Sequence, residues 1–234
     1  AGVGMVGDMQ CRETRQWIDD RIEQQAALLL VLDGSLRMDT VVLHGCRPAS
    51  DYRTITKADR ETVLEIDNRP ALEVVAELLG HEAGITWREY SFFVTFGVNR
   101  GDKYAPFDGD LYANRLCLRV DEKRQGLVMF EPDLVEGTAI QLMRRSVDFE
   151  YIERRLRPFL EGLAPRTPRF AFYIDCAGRA GAYAGTDEEE ARYVQAALGP
   201  DLPLLGVYSG VEIAPVAGRA QALDWTGVLC VFSE

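Results

Sequence analysis

The sequence predicts an α+β (mixed α/β) protein with a largely antiparallel central sheet, packed helices and a C-terminal β-α-β unit. Three observations carry that prediction. The middle of the chain is a series of short runs rich in β-branched and aromatic residues, separated by turn residues. Near the C-terminus two apolar runs, Phe170–Ile174 and Leu204–Val207, flank a stretch with Ala191, Val194, Ala197 and Leu198 at helical spacing. A helix crossing between two strands makes those strands parallel. Finally, 234 residues that are 47% apolar suffice to bury a full core, as one large or two small domains.

Taken in order, Gly2-x-Gly4-x-x-Gly7 matches a dinucleotide fingerprint as a bare string, but no strand precedes it, so a loop between strands is the expectation. Ala26–Leu32 is a continuous apolar run closed by Asp33-Gly34 and reads as a buried strand. Thr40–Leu43 reads as another, delivering His44-Gly45-Cys46-Arg47-Pro48 to its end, and Arg53–Lys57 pairs with Thr62–Ile66. Asp67-Asn68 should cap a helix with Pro70 in its first turn, Leu72, Val75, Ala76 and Leu79 on its apolar face, and Gly80 as its stop. Glu89–Val98 is a strand, residues 99–110 a loop, and Arg115–Val120 with Leu127–Phe130 a hairpin. Gly137–Met143 follows as a strand. Ser146 should then cap an amphipathic helix that Pro158 ends or kinks near Arg157. Gly162–Pro168 is the best linker candidate. Thr186 with Glu189 has the spacing of a capping box, and Asp224–Phe232 closes the chain as a strand.

A net charge of −11 argues against nucleic acid and against an anionic membrane surface as partners. No apolar run within these 234 residues approaches the ~20 residues of a spanning helix or reads as a signal peptide. The chain opens at Ala1-Gly2 without a methionine, which reads as a piece of a longer protein. Five widely spaced cysteines without Cys-x-x-Cys point to reduced thiols and a cytoplasmic setting.

The ends of the two C-terminal strands gather the best candidate site: Cys176, Gly178, Arg179, Tyr208, Ser209 and Glu212. Arg179 is suited to hold a carboxylate in bidentate fashion and Glu212 to accept from an amine, together a fit for an amino-acid-like ligand. The plainer alternative is that Arg179 and Glu212 pair with each other and only fix the turns. Cys176 as a nucleophile needs a base, and the only histidines, His44 and His81, are remote in sequence. No catalytic residue is therefore assigned. Asp102, Asp108 and Asp110 lack the spacing of a calcium loop. Arg154, Arg155 and Arg157 beside Glu150 and Glu153 read as a solvated helix face.

Cys176-Ala177-Gly178-Arg179, the Glu-rich helix and Gly206-x-Tyr208-Ser209-Gly210-x-Glu212-Ile213-Ala214-Pro215 resemble the C-terminal half of the FIST sensory-domain family. His44-Gly45-x-x-Pro48, Thr56-Lys57-Ala58 and Leu64-Glu65-Ile66-Asp67-x-x-Pro70-Ala71-Leu72 resemble it in the same order. The resemblance implies that residues 1–39 end an N-terminal half and that 40–234 form the C-terminal domain. It implies a small-ligand sensor whose output partner is a histidine kinase or a cyclic-dinucleotide enzyme. Some similar proteins are haem-based nitric oxide sensors, which would make His44 the axial ligand of a non-covalent haem, with Cys46 close by. Others resemble F-box adaptors, which would make the chain an interaction module.

Overall fold

Alternating apolar residues draw β4 (Arg37–Leu43), β13 (Pro168–Cys176), β14 (Leu204–Ser209) and β17 (Gly227–Ser233) into one sheet, ordered β14-β13-β17-β4. In the computed structural model, which describes residues 1–5, 12–80, 94–145, 149–181 and 187–234, this sheet is the heart of the first of two units. That unit comprises Ala1–Leu43, Asp148–Pro215 and Thr226–Glu234; the second comprises His44–Val147 and Val216–Trp225.

In the first unit β13 runs parallel to β14, as the crossover predicts, and antiparallel to β17, which is antiparallel to β4. Val41, Leu43, Ala171, Tyr173, Leu229 and Val231 share one face of the sheet. Two helices cover it, α2 (Glu150–Glu161) through Tyr151, Ile152 and Leu156, and α3 (Glu190–Leu198) through Val194. Gly227 is needed where it stands: a Cβ there would lie 2.3 Å from the Tyr173 hydroxyl. Around this body, β1 (Gly2–Gly4) pairs with β15 (Val211–Val216), and β2 (Arg15–Ile18) with β3 (Arg21–Gln24). The Gly2-x-Gly4 string is thus strand rather than phosphate loop; Gly7 lies outside the described residues.

The second unit is all antiparallel among its described pairs. β6 (Arg53–Asp59), β7 (Thr62–Ile66), β9 (Thr95–Asn99), β10 (Tyr112–Asp121), β11 (Gly126–Met129) and β12 (Ala139–Arg145) follow the order β11-β10-β9-β12-β6-β7, and β7 also pairs with β11. The sheet therefore closes on itself as a barrel, which leaves these strands no free edge. Its core includes Ile55, Val63, Phe96, Cys117, Leu127, Ile140 and Leu142, with α1 (Ala71–Leu79) contributing Leu72 and Val75. β5 (Cys46–Pro48) pairs with β12, β8 (Arg69–Pro70) with β7, and β16 (Arg219–Leu223) completes the strands.

Several expectations are corrected. Residues 26–33 form no strand, and Leu28–Leu32 are 47–89% exposed, because no strand among the described residues pairs with them. Asp67 and Asn68 do not cap α1; both have positive φ (51° and 61°) and make the tight β7–β8 turn, while Pro70 is the N-cap. Pro158 does not stop α2, which continues to Glu161 because Phe159 and Leu160 still pack on the core. Gly162–Pro168 is no linker between units, since both its flanks belong to the first. Glu189 is the N-cap of α3, one residue before its first turn. Ser146, Thr186, Cys11, His81 and residues 89–93 lie outside the described residues.

Candidate functional site

The parallel register sets Asp175 beside Tyr208 and Cys176 beside Ser209, so Cys176, Tyr208 and Ser209 come together at one end of the sheet. A single 3-10 turn, Ala177–Arg179, follows β13 and turns the Arg179 side chain inward. Cys176, Arg179, Ser209 and Glu212 are buried, Gly178 is half-buried, and Tyr208 is 48% exposed. The six residues therefore split into an internal group and a surface group.

Arg179 is the centre of the internal group. Its side chain has no exposed surface. Nη1 donates to the Leu43 carbonyl of β4 at 2.9 Å, and Nη2 donates to the Tyr151 hydroxyl of α2 at 2.9 Å and to Glu190 Oε2 of α3. Nε lies 3.0 Å from Asp175 Oδ1 of β13, as an ion pair rather than an aligned hydrogen bond. Glu190 also accepts from the hydroxyls of Tyr151 (3.0 Å) and Tyr173 (3.3 Å). Burial works against the arginine charge, but Glu190 and the other partners hold its pKa well above the ordinary value. Burial, and then Asp175, push the Tyr173 phenol up, so it stays protonated and donates. One side chain thus ties two strands and two helices together.

Glu212 has other partners. It accepts from Ser209 Oγ at 2.6 Å and from the Thr226 N–H at 3.3 Å. The alternative Arg179–Glu212 pair is not among these contacts: Arg179 is taken up by Asp175, Glu190, Tyr151 and the Leu43 carbonyl, and Glu212 by Ser209 and the Thr226 N–H.

The surface group is built on Glu189. The Gly181 N–H reaches both of its carboxylate oxygens at 3.1 Å, and the Tyr208 hydroxyl donates to Oε2. Burial and then Glu189 raise the Tyr208 pKa, which keeps the hydroxyl a donor. A carboxylate is therefore already seated at the exposed mouth of the turns, on one backbone donor and one phenol.

His44 lies in the second unit, 5% exposed, with Nδ1 accepting from the Cys46 N–H at 2.9 Å and Nε2 3.0 Å from the Gly109 carbonyl. Because Nδ1 accepts, Nε2 carries the proton and donates. Neither nitrogen is open to iron, so this histidine as folded does not fit a haem. Asp102 and Asp108 accept from the Tyr104 and Asp110 N–H groups, ordinary turn bonds. Among the described residues no group of three or more His, Cys, Asp and Glu is arranged to hold a metal ion. Arg154 and Arg157 pair with Glu150 and Glu153 across single helical turns, as a solvated face should.

Sequence reasoning missed Asp175, Glu190, Glu189, Tyr151 and Tyr173. Glu189 and Glu190 were hidden inside an acidic run whose members look alike until the helix start is known. It also missed a second ion pair, in which the buried Arg115 grips the exposed Asp133 carboxylate in bidentate fashion at 2.6 Å and 2.6 Å.

The fold is α+β, and the turns at the ends of β13 and β14 face solvent above a buried ionic tie. The FIST C domain model matches residues 71–215 and the FIST N domain model residues 3–69, and the chain belongs to the FIST family. FIST domains are recognised as sensory domains of signal-transduction proteins, not as a catalytic family. The N-domain match reaches residue 69, past the 39/40 division expected from the motifs. Relatives include uncharacterised proteins of Mycobacterium bovis and Mycobacterium tuberculosis, each 28% identical over 95% of this chain and 57% of its own length. An uncharacterised protein of Methanocaldococcus jannaschii is 24% identical over 50% of this chain and 24% of its own. The chain thus spans about half the length of the curated relatives it matches first. No solved structure matches. No helix among the described residues is long and apolar enough to cross a membrane.

Proposed function

We propose that this chain is the small-ligand-reading part of a cytoplasmic signal-transduction protein, and that its ligand is a small carboxylate of the amino-acid type bound where β13 and β14 end. The observation that supports this is the seat of Glu189. An internal carboxylate resting on the Gly181 N–H and the Tyr208 hydroxyl marks a place where a ligand carboxylate can compete. Once displaced, Glu189 is a ready acceptor for the ligand's ammonium, so an amino acid satisfies both halves of the exchange. Gly178 and Tyr208 form the mouth; Cys176, Ser209, Arg179 and Glu212 hold the turns beneath it.

Signalling needs two conformations with different ligand affinity. Glu189 is the N-cap of α3, and the next residue, Glu190, is bound to Arg179 and Tyr151. Moving Glu189 therefore pulls on the tie that joins α3 to α2. The output partner of such a movement would be a histidine kinase or a cyclic-dinucleotide enzyme.

A thermal-shift screen of amino acids and small carboxylates on the wild type and Tyr208→Phe tests this. A hit is expected in the wild type, weakened about tenfold in Tyr208→Phe, the worth of one hydrogen bond to a charged group. No hit, or a hit indifferent to Tyr208→Phe, rejects the site. A hit with haem alone would return attention to His44.

A further inference from the structure

In the second unit β10, β9 and β12 lie side by side. Register sets Asn114 opposite Gly97, and Gly97 opposite Gln141, so these three share one row on one face. Tyr112 with Asn99 and Leu116 with Thr95 make the adjacent rows. The other face sends Phe96, Cys117, Ile140 and Leu142 into the barrel core. An antiparallel sheet with one apolar face normally turns its polar face to water. Here Tyr112, Asn114, Thr95 and Gln141 are only 4%, 0%, 5% and 7% exposed.

Most of that buried polarity is satisfied. Asn99 Nδ2 donates to the Tyr52 hydroxyl at 2.8 Å, and the Tyr52 and Tyr112 hydroxyls are 3.1 Å apart. Tyr112 donates to Gln141 Oε1 at 2.7 Å, and Gln141 Nε2 to the Ser50 carbonyl at 3.0 Å. Asn114 stands outside the chain of bonds. Neither its Oδ1 nor its Nδ2 has a hydrogen-bond partner among the described residues. Burying such an amide unmet is costly, and asparagine is a poor strand former, so a leucine would make a better scaffold. Local rules are broken in this way chiefly at functional sites.

Gly97, between the two amides, leaves a place that the Met143 side chain fills. A Cβ there would lie 2.4 Å from Met143 Sδ and 2.9 Å from Tyr112 Cδ1, so the space over the glycine is taken by a thioether. Methionine is the most adaptable of core side chains and can vacate such a space. The strands carrying Asn114 and Gln141 are two sheet spacings apart, about 9.6 Å, a span that opens to a small ring only once Met143 moves aside. The row holds no charged group, and a buried charge without a partner is prohibitive, so the occupant must be neutral.

We propose that Asn114, with Gln141 across Gly97, binds a small neutral molecule presenting a hydrogen-bond donor and acceptor side by side, such as a carboxamide or lactam edge, admitted when Met143 swings off Gly97. This site is separate from the Glu189 turn in the first unit and does not depend on it.

The test is thermal shift and calorimetry on the intact chain with acetamide, 2-pyrrolidone and uracil as probes and acetate as the charged control. At ten times its dissociation constant a neutral probe should raise the melting temperature by roughly 2–4 °C, and acetate should not. Asn114→Leu should abolish that shift while raising the melting temperature of the probe-free protein, since it removes the unmet amide. Met143→Ala should tighten binding. No shift with any neutral probe means that internal water alone meets the amide, and overturns the proposal. So does a shift that survives Asn114→Leu, or one matched by acetate.

Discussion

A guanidinium with no exposed surface survives only beside carboxylates, and Arg179 has Asp175 and Glu190. Removing one partner of such a set strands the other charges in the interior, which costs far more than the set contributes over an apolar core. Arg179→Met should therefore lower the unfolding free energy by about 3–5 kcal/mol in urea denaturation. A loss below about 1 kcal/mol, the scale of surface pairs, would show that the cluster is open to water. Asp224 titrates with the opposite sign to most carboxylates. Burial pushes its pKa from 3.8 up to about 7, against the pull of the Leu116 N–H bond at 3.0 Å and of Arg115. The folded chain then keeps a proton that the unfolded chain loses, so this stability is full below pH 3.8 and lost as pH rises through about 7. Asp224→Asn should flatten that decline, a difference of up to about 4 kcal/mol at pH 8 in parallel denaturation series. Equal slopes in the two proteins would contradict the burial argument. The sequence made Arg179 legible as a charge at a glycine turn, but its partners were not, because Leu43 and Tyr151 are near it only once the sheet has formed.

The β13–α3–β14 unit was readable from the sequence because its two periods, short apolar runs and a helical stripe, are clean and bounded by glycine. The apolar run at residues 26–32 was misread for a related reason. Composition says what a segment would bury, and only topology says whether a partner strand is there. Leu29, Leu30 and Val31 are 89%, 82% and 67% exposed, an apolar, unpaired stretch of the kind that seeks another strand. Wild-type protein should associate with rising concentration in light scattering, and Leu30→Lys should suppress that association with an unchanged melting temperature. If Leu30→Lys instead costs as much as a core substitution, about 2–5 kcal/mol, the segment is buried in solution. The barrel of the second unit was legible as antiparallel strands, whereas its closure, through β7 pairing with β11, leaves no mark in local patterning.

For the whole molecule, the family and the fold class were within reach of the sequence, and the division into units was not. The first unit takes its strands from three separate stretches of chain, so its boundaries follow no composition shift. Of the candidate site, the meeting of the β13 and β14 ends was legible in the motifs, while the seat of Glu189 on Gly181 and Tyr208, on which the proposal rests, came from geometry. The account depends on that carboxylate being movable and on its movement reaching α2 through Glu190, Arg179 and Tyr151. Hydrogen–deuterium exchange, with and without the best carboxylate from the screen, tests this most directly. The account predicts altered protection in two places at once, the start of α3 at residues 187–191 and the first turn of α2 around Tyr151. Ligand-induced change confined to the mouth residues, with α2 unaffected, would contradict it.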